Sequence, residues 1–224
     1  MEWIKNFFKN ILAAINGSLI TKEKTNEEIS KDKDEKDKTS QKVRHKLESE
    51  IAAYIDDLIM KGAQNPFTKT PYKDFRESEG KNRSKDIDAL IIRNGGNMAD
   101  AYCMFGCQDI LRAVEIKFNI KFDLPKTGST QKFFNNTKPE YKTSTPDRLM
   151  IGIYQHGDEY KGHAIWCLGK QDKKQVATFE FNTSPDAGKE VIRDGQGCYF
   201  KTRNIEGYGD MRMRGFVDIL KAIK

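Results

Sequence analysis

The chain has 224 residues, which suits one compact domain with an appendage and is long enough to bury a core. Its formal net charge is +6, and a basic chain favours polyanionic partners, among which nucleic acid is the commonest. The 4 cysteines are too few and too scattered for a disulfide scaffold, so they exclude a small secreted protein and favour a reducing, cytoplasmic setting.

Residues 1–20 are predicted to form an amphipathic helix, because apolar residues recur at helical spacing. Lys5 and Lys9 interrupt the apolar run, which is therefore too short to cross a membrane. Three roles stay open for this helix. Docking on this domain or a partner is favoured over self-association and over contact with a membrane surface.

Residues 21–42 are predicted to form a solvated, charged linker or a fraying helix, because lysine, acidic and hydroxyl residues mix there with almost no apolar ones. A main domain follows over 43–224. It opens with a helical pattern from Val43 to Met60 and continues with a loop-like, lysine- and arginine-rich stretch over 61–84. This basic stretch could hold a phosphate backbone.

Two strands are then predicted, over 86–92 and 113–118. The second alternates with period two, so that Glu115 and Lys117 share the face opposite the apolar residues. In the first, Asp86 and Asp88 share a face, and we favour Asp88 as a ligand because the buried part of the strand follows it at once. If the two strands pair, Asp88 lies beside Glu115, and two carboxylates with a lysine make a divalent-metal site.

These residues resemble the motif of the PD-(D/E)xK nuclease superfamily. Asp88 stands for the acidic residue and Glu115-Ile116-Lys117 for the (D/E)xK half, although Ile87 occupies the proline position. The segment 132–139 resembles one that follows this strand in some type II restriction endonucleases. The resemblance implies an α/β fold with a restriction-endonuclease-like core, in which helices flank a mixed central sheet.

The resemblance also implies the activity, a Mg²⁺-dependent endonuclease that hydrolyses phosphodiester bonds of double-stranded DNA, most simply as a type II restriction enzyme. Asp88 and Glu115 would hold Mg²⁺, and Lys117 would orient or help to deprotonate the attacking water. Family members often add a glutamate from an early helix, and Glu50 is our choice. A homodimer is expected for double-strand cutting. The alternative is a basic nucleic-acid-binding or assembly module with a degenerate nuclease core.

Basic and amide side chains in the loops are the predicted DNA contacts, since lysine and arginine neutralise phosphate and asparagine reads adenine edges. They are Arg83, Lys85, Lys121, Lys132, Asn135, Asn136, Arg212 and Arg214.

The remaining elements are predicted strands at 149–154, 163–169 and 176–181 and a closing amphipathic helix at 216–223. Among the other reactive residues, His156 has no visible partner and is taken as incidental. Cys103 and Cys107 have a spacing that zinc can use, but no paired histidine motif completes a site, so buried thiols are expected.

Overall fold

The structure is a computed structural model, and it describes residues 26–157, 161–185 and 195–224. The chain divides into two units, Met1–Lys46 and Leu47–Lys224, and the sites discussed below lie in the second. The amphipathic helix predicted for residues 1–20 lies outside the described residues. The part of the charged stretch that is described, from Asn26 onward, is helical.

The described residues form an α/β fold of four α-helices and one antiparallel sheet. The helices are α1 (Asn26–Ile59), α2 (Lys85–Arg93), α3 (Cys103–Phe118) and α4 (Thr130–Asn136), with short 3-10 turns at Tyr72–Asp74 and Pro139–Tyr141. The strands are β1 (Lys142–Thr143), β2 (Met150–His156), β3 (Gly162–Lys170), β4 (Gln175–Thr183), β5 (Gly197–Asn204), β6 (Gly207–Tyr208) and β7 (Met211–Asp218).

The sheet has the strand order β1-β7-β2-β3-β4-β5, with β6 paired to β7. The predicted α/β class is confirmed, but the predicted mixed sheet is wrong, because every pairing between the described strands is antiparallel. Apolar side chains are buried in two clusters, one that includes helix residues such as Val114 of α3 and one formed by strand residues such as Ile165. Strands buried in this way are rich in apolar residues, which is why β2, β3 and β4 were predictable.

The predicted C-terminal helix at 216–223 is wrong, since Phe216 and Val217 lie in β7 and pair with β2. The apolar run there is short, and a short run fits a buried strand as well as a helix.

The predicted strand at 86–92 is also wrong, because these residues form α2. Ser84 caps this helix, its hydroxyl accepting a hydrogen bond from the Ile87 amide at 3.3 Å. Asp86 and Asp88 lie in the first turn, where the positive end of the helix dipole stabilises carboxylates. Asp86 and Asp88, which were predicted as candidate metal ligands on a strand, thus stabilise the N-terminal end of a helix.

The predicted strand at 113–118 is the last part of α3, a helix of 16 residues. Over this longer window the buried residues Cys107, Ile110, Leu111 and Val114 recur at helical spacing. The alternation over six residues was misleading, since Ile116, predicted to point into the core, is 65% exposed.

Close packing brings the N-terminal end of α3 onto the sheet. A Cβ atom on Gly106 would lie 2.1 Å from Cγ of Phe181 on β4, so only glycine allows the helix to approach this closely. A side chain on Gly162, the first residue of β3, would similarly meet the carbonyl oxygen of Tyr154 at 2.1 Å. The Gly106 contact sets the N-terminal end of α3 against β4, and the Gly162 contact lets the start of β3 lie close to β2.

Candidate active site

A cleft of about 670 Å³ opens beside the N-terminal end of α3. Cys103, the first residue of that helix, and His163, the second residue of β3, both line it. Charged and polar residues complete the wall, among them Asp100, His156, Lys161 and Asn182. The volume falls within the range of ligand-binding clefts.

Cys103 and His163 interact at the wall of this cleft, and the buried Glu180 lies behind His163. The imidazole of His163 interacts with the thiol of Cys103, and its Nε2 atom lies 3.0 Å from Oε2 of Glu180 on β4. Nucleophile, base and a third group that orients the base are the three parts of an activated-nucleophile site.

The surroundings of Cys103 favour its thiolate. Burial by itself raises the pKa of this thiol, but the hydrogen bond and charge of His163, together with backbone hydrogen bonds at Ala164 and Met104, more than offset it and lower the pKa. The thiolate is the nucleophilic form of cysteine, and the lowered pKa favours that form at Cys103.

The pKa of His163 is raised to about 9, because the hydrogen bonds to Cys103 and Glu180 outweigh the burial that would lower it. The pKa of Cys103 is lowered and that of His163 is raised, and both directions favour a thiolate–imidazolium pair. Such a pair supplies both the nucleophile and a proton donor for a leaving group.

Glu180 is fully buried and ionised. Arg203 on β5 donates to both carboxylate oxygens, from Nε to Oε1 at 2.7 Å and from Nη2 to Oε2 at 2.6 Å. Burial would raise the pKa of this carboxyl, but the hydrogen bonds from Arg203 and His163 lower it to about 2. A charged carboxylate at this position fixes the orientation of the imidazole.

The other three cysteines are inert by comparison. All four thiols are free and buried, which confirms the state expected for them from the sequence. Burial raises the pKa of Cys107, Cys167 and Cys198 above the ordinary value, whereas that of Cys103 is lowered. Cys103 is thus the thiol with nucleophilic character.

The residues assigned to the nuclease motif are not brought together on one sheet. Asp88 lies on α2, and both its oxygens accept from Nε of Arg83, at 2.9 and 3.0 Å. Glu115 lies on α3, where its Oε1 accepts from the amide of Phe122 at 3.0 Å. Lys117, also on α3, places its ammonium 5.8 Å from the ring centre of Tyr54.

This arrangement does not fit the expected Mg²⁺ ion. Magnesium is usually held by carboxylates whose oxygens are directed at one point, whereas Asp88 and Glu115 lie on separate helices and are engaged with other groups. Within the described parts of the chain, no set of three or more histidine, cysteine, aspartate or glutamate residues is placed to hold a metal ion.

The other predicted site residues are dispersed. Glu50 is exposed on α1, and Lys85, Lys132, Asn136 and Arg212 are exposed on other elements. Lys121 lies 3.9 Å from Glu115. Asn135 and Arg214 do meet, since Nη1 of Arg214 donates to Oδ1 of Asn135 at 2.8 Å. Contact of these residues with DNA stays a prediction.

Sequence reasoning missed Cys103, His163 and Glu180 as a site. One signal was available, a cysteine at the start of a helical apolar pattern with a histidine and an acidic residue on later strands. His163 and Glu180 stand inside apolar strands, where a titratable residue needs a buried partner.

In the described part of the chain, every helix is too short or too polar to cross a membrane. Comparison of the chain with protein-family models, with curated proteins and with solved structures gave no significant match.

Proposed function

We propose that the protein is a cysteine-dependent hydrolase that cleaves an amide bond through an acyl-enzyme intermediate. The observation that carries this proposal is the placement of Cys103 and His163 on the wall of one cleft, with His163 hydrogen-bonded to the buried Glu180. Proteases of the papain type use a cysteine, a histidine and a polar third residue in the same roles on their own fold. The analogy concerns roles and geometry, because the function of a site follows from its chemistry.

The reaction starts from the ion pair. The sulfur of Cys103 attacks the carbonyl carbon of the substrate, and a tetrahedral intermediate forms with negative charge on the oxygen. His163 then gives its proton to the leaving nitrogen, the carbon–nitrogen bond breaks, and an amine departs from the thioester. Water, deprotonated by His163, attacks the thioester next. The carbon–sulfur bond breaks, which releases a carboxylic acid and restores the thiolate–imidazolium pair.

In this mechanism the first turn of α3 stabilises the tetrahedral oxyanion. The first four amides of a helix have no acceptor within the helix, and the helix dipole puts partial positive charge at that end. Cys103 is itself the first helical residue, so its own amide belongs to this set. Amide donors fixed before the reaction are the usual means of stabilising such an oxyanion.

Alkylation with iodoacetamide tests the proposal without a known substrate. Below the ordinary pKa of a thiol, we expect Cys103 to be labelled and Cys107, Cys167 and Cys198 to stay unlabelled in the folded protein, because only Cys103 combines a lowered pKa with a position on the cleft. Peptide mass spectrometry locates the label. Labelling of Cys103 only above its ordinary pKa, as for a simple thiol, would contradict the proposal.

The titration of His163 is a second expected result. Its resonance should titrate near pH 9, and Glu180→Gln should lower that pKa by about one to three units, since a negative charge beside the imidazolium is removed. Because the folded-state pKa lies above 6.5, the charged ring stabilises the fold fully below about pH 6.5 and progressively less up to about pH 9.

Proton NMR of the imidazoles measures this pKa directly. The chain has 3 histidines, so a His163→Gln variant assigns the resonance. Three histidines that all titrate near the ordinary value would show that no ion pair forms.

Nuclease activity is the second candidate, favoured by the net charge of +6. Incubating supercoiled plasmid with the purified protein and Mg²⁺ tests it. Cleavage that is lost in Glu115→Ala and kept in Cys103→Ala would support the nuclease, whereas DNA shifted with or without metal and left uncut would support a binding module. Double-stranded DNA as a partner and a homodimer stay predictions.

A further inference from the structure

The carboxylate of Glu180 has a complete set of hydrogen-bond donors. Oε1 accepts from the hydroxyl of Thr178 at 2.7 Å and from Nε of Arg203 at 2.7 Å. Oε2 faces Nε2 of His163 at 3.0 Å and Nη2 of Arg203 at 2.6 Å. Two of the four contacts therefore come from one guanidinium group, in the bidentate geometry that arginine forms with carboxylates.

Arg203 is itself held firmly. Its guanidinium carbon lies 4.2 Å from the ring centre of Tyr208, and its Nη2 is 3.4 Å from the hydroxyl of Thr183. Its side chain is 17% exposed, whereas that of Glu180 is fully buried. The ring of Tyr154 in turn packs edge-on against Tyr208, with centroids 5.0 Å apart. A stacked, bidentate arginine has little freedom to turn away from its carboxylate.

We propose that Arg203 is a positioning residue of the Cys103–His163–Glu180 site, which keeps the Glu180 carboxylate charged and aims one of its oxygens at the imidazole. The inference rests on the proposed function and adds a fourth residue to it. Arg203 touches neither Cys103 nor the cleft wall and acts through Glu180.

The physical reason is the cost of a buried charge. A carboxylate removed from water becomes protonated unless opposite charge and hydrogen bonds compensate for the lost hydration. His163 supplies a single contact to one oxygen. Without Arg203, the proton competes for the other oxygen, and a protonated Glu180 no longer stabilises the imidazolium. The thiolate of Cys103, which the imidazolium stabilises, is then protonated at a higher pH.

Several other titratable groups face this network. Those around Glu180 are His163, Arg203, Tyr154, Tyr208, Cys107 and Cys167, and those on the cleft beside Cys103 are Asp100, His156 and Lys161. Burial raises the pKa of both tyrosines and of Cys107 and Cys167, so they are neutral over the acid range. The cleft groups are the same in every variant below, and the shift caused by Arg203 is therefore measured against a constant background.

The readout is the acid limb of the pH profile of Cys103 alkylation, which is the pH range over which labelling falls as the pH is lowered. In Arg203→Met, the pH below which iodoacetamide labelling of Cys103 falls should rise by about one to three units, because a cation beside the carboxylate is lost. Arg203→Lys should lie between this variant and the wild type, since lysine restores the charge without the two parallel bonds. An unchanged acid limb in Arg203→Met would overturn the inference.

Arg76→Met is the matched control. Arg76 also stacks on a tyrosine, with its guanidinium carbon 4.2 Å from the ring centre of Tyr199, and it donates to three backbone carbonyls. It has no contact with Glu180, so its loss tests structural damage alone. We expect the acid limb of Arg76→Met to match that of the wild type. A shift as large as that in Arg203→Met would show that Arg203 has only a structural role.

A double-mutant cycle shows whether Arg203 acts through Glu180. Arg203→Met should move the acid limb less than half as far in the Glu180→Gln background as it does in the wild-type protein. An equal shift in both backgrounds would contradict the mechanism. If Arg203→Met fails to fold, Arg203→Lys with and without Glu180→Gln completes the same cycle. Wild-type Cys103 that is unreactive at low pH would instead contradict the proposed function itself.

Discussion

Replacing Cys103 with alanine should lower kcat/KM for amide hydrolysis by at least about 10³-fold, because no other described thiol combines a lowered pKa with a place on the cleft. The fold should be retained, since the change removes one sulfur atom from the end of a helix that many other contacts anchor. Turnover of a library of fluorogenic peptide amides, screened first with the wild-type protein, measures the loss.

Cys198→Ala is the matched control for this experiment. Cys198 is buried on β5, and its pKa is raised by burial well above the ordinary value, so it has no nucleophilic role. Its replacement should leave kcat/KM within a few-fold of the wild type. Turnover that survives Cys103→Ala, or that is lost equally in both variants, would contradict the assignment of Cys103 as the nucleophile.

Asp109→Ala should lower the free energy of unfolding by about 3–5 kcal/mol, the range expected when one partner of a buried ion pair is removed. Asp109 lies on α3 and is fully buried. It accepts from Nε and Nη2 of Arg93, both at 2.9 Å, from the hydroxyl of Tyr72 at 2.8 Å and from Nδ2 of Asn94 at 2.7 Å. Its removal leaves several buried donors, including a guanidinium, without their acceptor.

Urea unfolding measures this loss as a fall in the midpoint at a constant slope. Asp57→Ala is the surface control, because Asp57 pairs with Lys61 at 2.7 Å while its side chain is 47% exposed. Exposed pairs contribute roughly 1 kcal/mol or less. A loss in Asp109→Ala no larger than that in Asp57→Ala would show that the buried network does not anchor α3.

Asp109 matters for function because it holds the helix that carries Cys103. Arg93 and Asn94, which bind it, come from the end of α2, so the network ties α3 to α2 while Gly106 lets α3 approach β4. The position of the nucleophile relative to His163 depends on both contacts. Activity should therefore fall in Asp109→Ala at temperatures where that variant begins to unfold.

Local sequence patterns predicted the sheet better than the helices. The predicted strands at 149–154, 163–169 and 176–181 became β2, β3 and β4, because strands with few polar positions read as apolar runs of limited length. The strand predictions for 86–92 and 113–118 were wrong because six or seven residues fit the period of a strand as well as that of a helix. A serine cap before the first stretch and a 16-residue helical pattern around the second favour helices.

By itself the sequence determined the class of the fold, three of its strands, the helix over 43–60 and the burial of the thiols, since each follows from composition or from the spacing of apolar residues nearby. Only the tertiary structure decided which reactive groups meet. The acidic residues of the nuclease motif were separated onto two helices. Cys103 and His163, distant along the chain, were brought to one cleft, and His163 was hydrogen-bonded to Glu180. The physical reason is that the reactivity of a titratable side chain depends on its burial and its partners, and packing between elements supplies both.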